Sequence, residues 1–215
     1  MKNITRSIDI KMTTGWSYML ALLGLTAVGC SEDFLERKPK GQLTYDTLFE
    51  TPDHAVGATK AVYQQYRSWE MCAFPWIGIT DIISDDADKG STPNDALYVL
   101  ELDEFTFDGT NAAITGAWLG HYQAIFRANL AIDNIPGIEM DSTLRARLIG
   151  ECRFLRAYAY FRLVQWYGDV PLITTILNDD QYYNQERTSK ELVYDFIETD
   201  LLAAIEALPE KDEYA

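Results

Sequence analysis

The sequence predicts a mainly α fold: helices stacked in pairs and joined by long loops. Three observations carry that expectation. Apolar residues recur at spacings of three and four in four separate stretches. Helix punctuation brackets them, with Thr51-Pro52-Asp53 at one start and Pro136-Gly137, Gly168 and Pro209 at the stops. One stretch, from Leu144 to Gly168, is apolar on more than one side, so it must be covered from two directions.

Residues 1–29 precede these helices and follow the plan of a signal peptide. Lys2, Arg6 and Lys11 make a positive start, diluted only by Asp9, and an apolar run from Trp16 to Val28 follows. That run is short for a bilayer span, which needs about 20 apolar residues. It ends in Ala27-Val28-Gly29-Cys30, which resembles the lipobox of bacterial lipoproteins. Small residues suit a peptidase that must approach the backbone closely. Leucine is usual three places before the cysteine, and Ala27 stands there instead. Cys30 is therefore expected to be acylated and to become the first mature residue. Several acyl chains on one cysteine anchor firmly, at about 0.8 kcal/mol per buried methylene. The acidic Ser31-Glu32-Asp33 is similar to a run that accompanies display on the cell exterior in one group of lipoproteins. Residues 30–43, broken by Pro39 and Gly41, read as an extended tether, and ten such residues reach roughly 30 Å.

Residues 44–215 hold the helical body. The first helix begins at Thr51-Pro52-Asp53, with threonine as N-cap, proline in the first turn and aspartate at the positive end of the dipole. Val56, Thr59, Val62 or Tyr63, and Tyr66 continue it. From Trp69 to Gly109 the period is lost among Pro75, Gly78, Gly90 and Pro93, and a long loop with one short strand at Glu101 to Phe107 is expected. Trp118, Tyr122, Ile125, Asn129 and Ile132 define the second helix. Leu144, Leu148, Cys152, Leu155 and Ala159 define the third, whose Phe154, Tyr158 and Phe161 form an aromatic stripe expected to pack in the core. Arg153, Arg156 and Arg162 on the same helix are expected to pair with carboxylates. Thr188-Ser189-Lys190-Glu191 has the capping-box pattern and opens the last helix, which carries Leu192, Phe196 and Ile205. That helix has no later apolar partner, so the chain reads as truncated. Trp118-Leu119-Gly120-His121-Tyr122 is similar to the opening of a tetratricopeptide repeat.

Composition narrows the chemistry. A net charge of −15 repels phosphate backbones and argues against nucleic acid. Three cysteines without a C-x-x-C pair and two distant histidines supply neither a zinc site nor a His-based triad, and no cofactor is implied. Asp86, Asp88 and Gly90 match part of a calcium loop, but Leu97 stands where the twelfth-position glutamate belongs. The long loop holds aromatic faces and polar groups, the kinds of side chain that line small-molecule sites. Its candidate ligand-binding residues are Trp69, Trp76, Asp85, Asp86, Asp88, Lys89 and Asn94. Packing under the loop is the competing role for both tryptophans, and a solvated turn that for the aspartates.

Glu151-Cys152-Arg153-Phe154-Leu155-Arg156-Ala157-Tyr158-Ala159-Tyr160-Phe161, continuing to Tyr167-Gly168-Asp169-Val170-Pro171-Leu172, closely resembles the signature of SusD/RagB-type outer-membrane lipoproteins. Cys30 with Phe34-Leu35-Glu36 and Pro39 resembles their beginning. Cys152 departs from the small residue usual at its position, and the chain is less than half the usual length. The resemblance implies a SusD-like helical scaffold. It also implies an outer-membrane lipoprotein that captures oligosaccharides or other nutrients, is not an enzyme, and serves a TonB-dependent transporter barrel of the SusC-like kind. Two other functions compete: a helical assembly scaffold without a small ligand, and a surface glycoside hydrolase. Hydrolysis needs two carboxylates about 5–9.5 Å apart across a cleft, and Asp85 and Asp86 are sequence neighbours.

Overall fold

The computed structural model describes residues 48–211. The chain divides into two units, Met1–Thr44 and Tyr45–Ala215, and the described residues belong to the second. The leader, Cys30 and the tether lie outside them.

Helix α1 spans Pro52–Gln65 and starts as its residue types dictate: the Thr51 hydroxyl accepts the His54 N–H at 3.3 Å. Two single-turn helices follow, α2 at Trp69–Cys72 and α3 at Phe74–Ile77, and a π-helical turn at Gly78–Ile82. Then come α4 at Leu97–Asp103 and the long α5 at Ala112–Asn134. A 3₁₀ turn at Ile135–Gly137 leads to α6, Ser142–Tyr167. Short α7, Asp179–Tyr182, precedes α8, Lys190–Ala207.

The segment expected to be one long loop is thus largely helical at its start, and the expected strand at Glu101–Phe107 is not formed: Glu101–Asp103 end α4, and residues 104–107 are turn and coil. Burial explains the difference. Val99 and Leu102 are both buried, and residues three apart share a helix face, whereas strand alternation would place them on opposite faces. Among the described residues the only β pairing is a single bridge between Val170 and Thr188.

Helix α6 is the centre of the body. Contacts along its length fix the directions of its neighbours. The Tyr167 hydroxyl donates to the Ile114 carbonyl at 2.7 Å, so α5 runs antiparallel to α6. Arg156 meets Asp200, and a Cβ on Gly150 would lie 2.9 Å from Ala207, so α8 is antiparallel too. Such antiparallel neighbours are the helix pairs foreseen from the sequence. Cover comes from two directions, as the apolar pattern requires. Tyr160, Leu163 and Val164 pack with Val193 and Ile197 of α8. On the other side Leu148, Cys152 and Leu155 pack with Ala55 and Val62 of α1 and Ala128 and Ala131 of α5. Fully burying a side chain such as Leu163 or Val193 stabilises by about 1.5–3 kcal/mol.

Three local expectations change. Phe154 is exposed, whereas Tyr158 and Phe161 are half-buried because their rings meet Tyr66 and Tyr194. Arg156 pairs with Asp200, but among the described residues Arg153 and Arg162 pair with no carboxylate. Arg162 lies over the Trp76 ring instead, 4.8 Å from its centroid. The capping box at Thr188 is not made. Thr188 exchanges backbone hydrogen bonds with Val170 at 3.0 and 3.2 Å, which moves the N-cap to Ser189. The same bridge brings Asp169 to the helix start, where its Oδ1 accepts the Lys190 N–H at 2.9 Å.

Candidate functional site

The sequence-predicted loop residues divide into three kinds. Trp69 is exposed and its ring tilts against Phe74, centroids 5.5 Å apart. Asp85, Asp86, Asp88 and Asn94 are exposed as well. Trp76 is half-buried: its ring meets Trp166 edge-on at 5.4 Å on one side and the Arg162 guanidinium on another. Lys89 differs from all of these. Only 4% of its side chain is exposed, and its ammonium donates to Ser91 Oγ, the Thr92 carbonyl and Asp95 Oδ1. The Lys89 and Ser91 hydrogen bonds hold the Asp95 carboxyl below its ordinary range. Among the described residues no group of three or more His, Cys, Asp or Glu side chains is arranged to hold a metal ion.

A second concave surface lies between α5 and the segment after α6. Its volume is about 530 Å³, within the range of ligand pockets. Trp118, Tyr122 and Phe126 line it from α5, with Pro171 and Ile173 opposite and Tyr182 at the rim. Every lining residue is uncharged, although the whole chain carries −15. Gln123 and Gln185 supply amides.

The wall opposite α5 is held by buried polar side chains. The Tyr122 hydroxyl donates to the Pro171 carbonyl at 2.8 Å. The Tyr160 hydroxyl donates to the Ile173 carbonyl and accepts the Ile173 N–H, at 2.8 and 2.7 Å. Asn129 donates to the Ile173 carbonyl at 3.0 Å, and Arg156 donates to Thr174 O at 3.0 Å. Burial raises both phenols above their ordinary value, so each stays a hydroxyl. An extended segment pinned at this many points is a preformed wall.

A chain of ring contacts runs from Trp76 through Trp166 and Tyr167 to Trp118 and Tyr122, which line the cleft from α5. His121 joins it edge-on to Trp166 at 5.2 Å. Its Nδ1 lies 2.7 Å from the Ala117 carbonyl, and its buried Nε2 has no hydrogen-bond partner among the described residues. Burial lowers its pKa to about 4, so the ring is neutral at physiological pH.

Sequence reasoning did not single out this cleft. The signal was present: Trp118, Tyr122 and Phe126 stand four apart and share one helix face. Apolar spacing alone does not tell a core face from a cleft wall.

The fold and its surfaces define a class: a stack of antiparallel helix pairs carrying an uncharged aromatic cleft and a polar loop. The chain belongs to the SusD-like family. Residues 33–215 match the family model described as "Starch-binding associating with outer membrane". SusD-like protein P2 of Formosa agariphila is 28% identical over 88% of this chain and 37% of its own length. A SusD-like protein of Bacteroides ovatus is 30% identical over 91% of this chain and 35% of its own. Among solved structures, a laminarin-binding SusD-like protein matches with a TM-score of 0.68 and 29% identity, over 77% of this chain and 37% of that one. The chain thus spans about a third of the length of these relatives.

Proposed function

We propose that this protein captures neutral glycans at the outer membrane and passes them to a TonB-dependent transporter barrel. The match of residues 33–215 to a family described as starch-binding carries the reading. Chemistry supports it. Aromatic faces beside polar groups suit sugars, whose C–H surfaces stack and whose hydroxyls take hydrogen bonds. Exposed Trp69 on α2 offers a further aromatic face, and Asp85, Asp86, Asp88 and Asn94 on the loop offer further hydrogen-bonding groups. The role is binding and transfer, not catalysis. Acylation at Cys30 holds the body to the membrane, facing the cell exterior.

Affinity electrophoresis in laminarin and in soluble starch tests the capture step. The complete protein is expected to be retarded by at least one, and Trp69→Ala and Tyr182→Ala to weaken retardation while circular dichroism stays unchanged. No retardation by any glycan in a broad panel would refute capture. Partnership is tested by co-purification of a barrel from detergent-solubilised outer membranes. Mass spectrometry of the native N-terminus tests the anchor: a Cys30 without acyl chains removes it.

A further inference from the structure

We propose that Lys89 is the positioning residue of the 84–95 loop, an internal cation around which the loop folds so that Asp88 and Asn94 meet a glycan in a fixed arrangement. The proposal rests on the glycan-binding reading above.

Lys89 stands out by its surroundings. Its neighbours Asp88, Ser91, Thr92, Asn94 and Asp95 are exposed, yet its own side chain is 4% exposed. A lysine ammonium has three N–H donors. Here all three find acceptors within the next six residues: Ser91 Oγ at 2.8 Å, Thr92 O at 2.5 Å and Asp95 Oδ1 at 2.6 Å. No donor is left for a sugar hydroxyl, so Lys89 acts through the loop and not on the ligand. Ser91 Oγ donates to the same Asp95 oxygen at 2.7 Å, which closes the ring of contacts.

The backbone is shaped for this closure. Gly90 adopts φ +71°, the left-handed region glycine enters at little cost, and the chain then folds back over the lysine stem. The Lys89 N–H reaches Asp103 Oδ2 at 3.3 Å, tying the cage to α4. An exposed lysine salt bridge is usually worth little, because water competes and two long side chains must be ordered. Here the stem is covered and the acceptors are neighbours in sequence, so both losses are reduced. The ammonium does for this loop what a bound metal ion does for a metal-folded one.

Two substitutions test the role. Lys89→Met keeps the apolar stem and removes the charge. Lys89→Ala removes Cγ, Cδ, Cε and the ammonium, which is the volume of n-propylammonium. In the complete protein, hydrogen exchange at the Lys89 and Asp95 amides, bonded to Asp103 Oδ2 and the Thr92 carbonyl, is expected to accelerate in both variants, and laminarin affinity to fall about tenfold, the scale of one charged hydrogen-bond cluster. Propylammonium is expected to restore slow exchange and affinity to Lys89→Ala. Tetramethylammonium, which has no N–H donor, is expected to restore neither. Laminarin binding by Lys89→Met as tight as that of the natural protein would overturn the proposal. So would fast exchange that propylammonium leaves unchanged. Should the natural protein bind neither laminarin nor starch, the glycan reading fails, and with it the positioning role. The exchange measurement then still decides whether the cage organises the loop.

Discussion

The guanidinium of Arg156 donates through four of its five N–H groups. It forms a two-point pair with Asp200 at 2.7 and 2.8 Å, reaches Asn129 Oδ1 at 2.6 Å and Thr174 O at 3.0 Å, and lies 4.9 Å from the centre of the Phe196 ring. Through these contacts one side chain joins α5, α6, α8 and the cleft wall. Arg156→Met strands the Asp200 carboxylate in the core, and a loss of about 3–5 kcal/mol is expected in urea unfolding. The double variant Arg156→Met with Asp200→Leu should recover most of that, since it removes the uncompensated charge. His121 makes a second residue-scale prediction. Its folded pKa of about 4 lies below the ordinary 6.5, so the unfolded chain takes up the proton first as pH falls. Its contribution is therefore full above pH 6.5, declines between 6.5 and 4, and levels off below 4, for a total of about 3 kcal/mol. His121→Gln should flatten that part of the pH–stability curve relative to the natural protein.

Among the elements, the crossing of α6 and α8 is governed by a missing side chain. A Cβ on Gly150 would stand 2.9 Å from the Ala207 Cβ and 3.4 Å from Leu208. Alanine is the better helix former by about 1 kcal/mol, but overpacking a close crossing costs about 1–3 kcal/mol. Gly150→Ala is expected to lower stability, and a raised melting temperature would refute the crossing. Sequence pattern made the long helices legible because each carries a repeated apolar face and punctuated ends. It also foretold the two-sided cover of α6. It failed between Trp69 and Gly109, where helices of one or two turns are too short to show a period and Pro75 and Gly78 sit inside the structure. Thr188 misled for another reason. Its pairing with Val170 is a tertiary contact, and no local pattern announces it. The hydrogen bonds around Lys89 were not legible either, because composition reports the charge and not where its donors are spent.

At the scale of the described body, several large apolar side chains lie at the surface. Leu202 and Ile205 on α8, Leu119 and Phe126 on α5, and Tyr182 at the cleft rim with its neighbour Tyr183 are all exposed. Patches of this kind mark surfaces that associate. The chain expressed by itself is expected to self-associate in sedimentation. Leu202→Glu with Ile205→Glu should reduce that association while leaving the melting temperature nearly unchanged, as exposed substitutions do.

The thiol of Cys152 sits between α6 and α1, 3.7 Å from the Thr59 hydroxyl, and burial pushes its pKa up to about 12. At neutral pH only about one copy in 10⁵ is a thiolate, the reactive form. In the native state such a sulfur is chemically silent towards disulfides and alkylating reagents. It becomes visible when α1 lifts away from α6. The rate at which Cys152 takes up an alkylating label, followed apart from exposed Cys72, therefore times the opening of this helix stack with no probe added to the chain. Labelling of Cys152 as fast as that of Cys72 under native conditions would show that the stack is open most of the time.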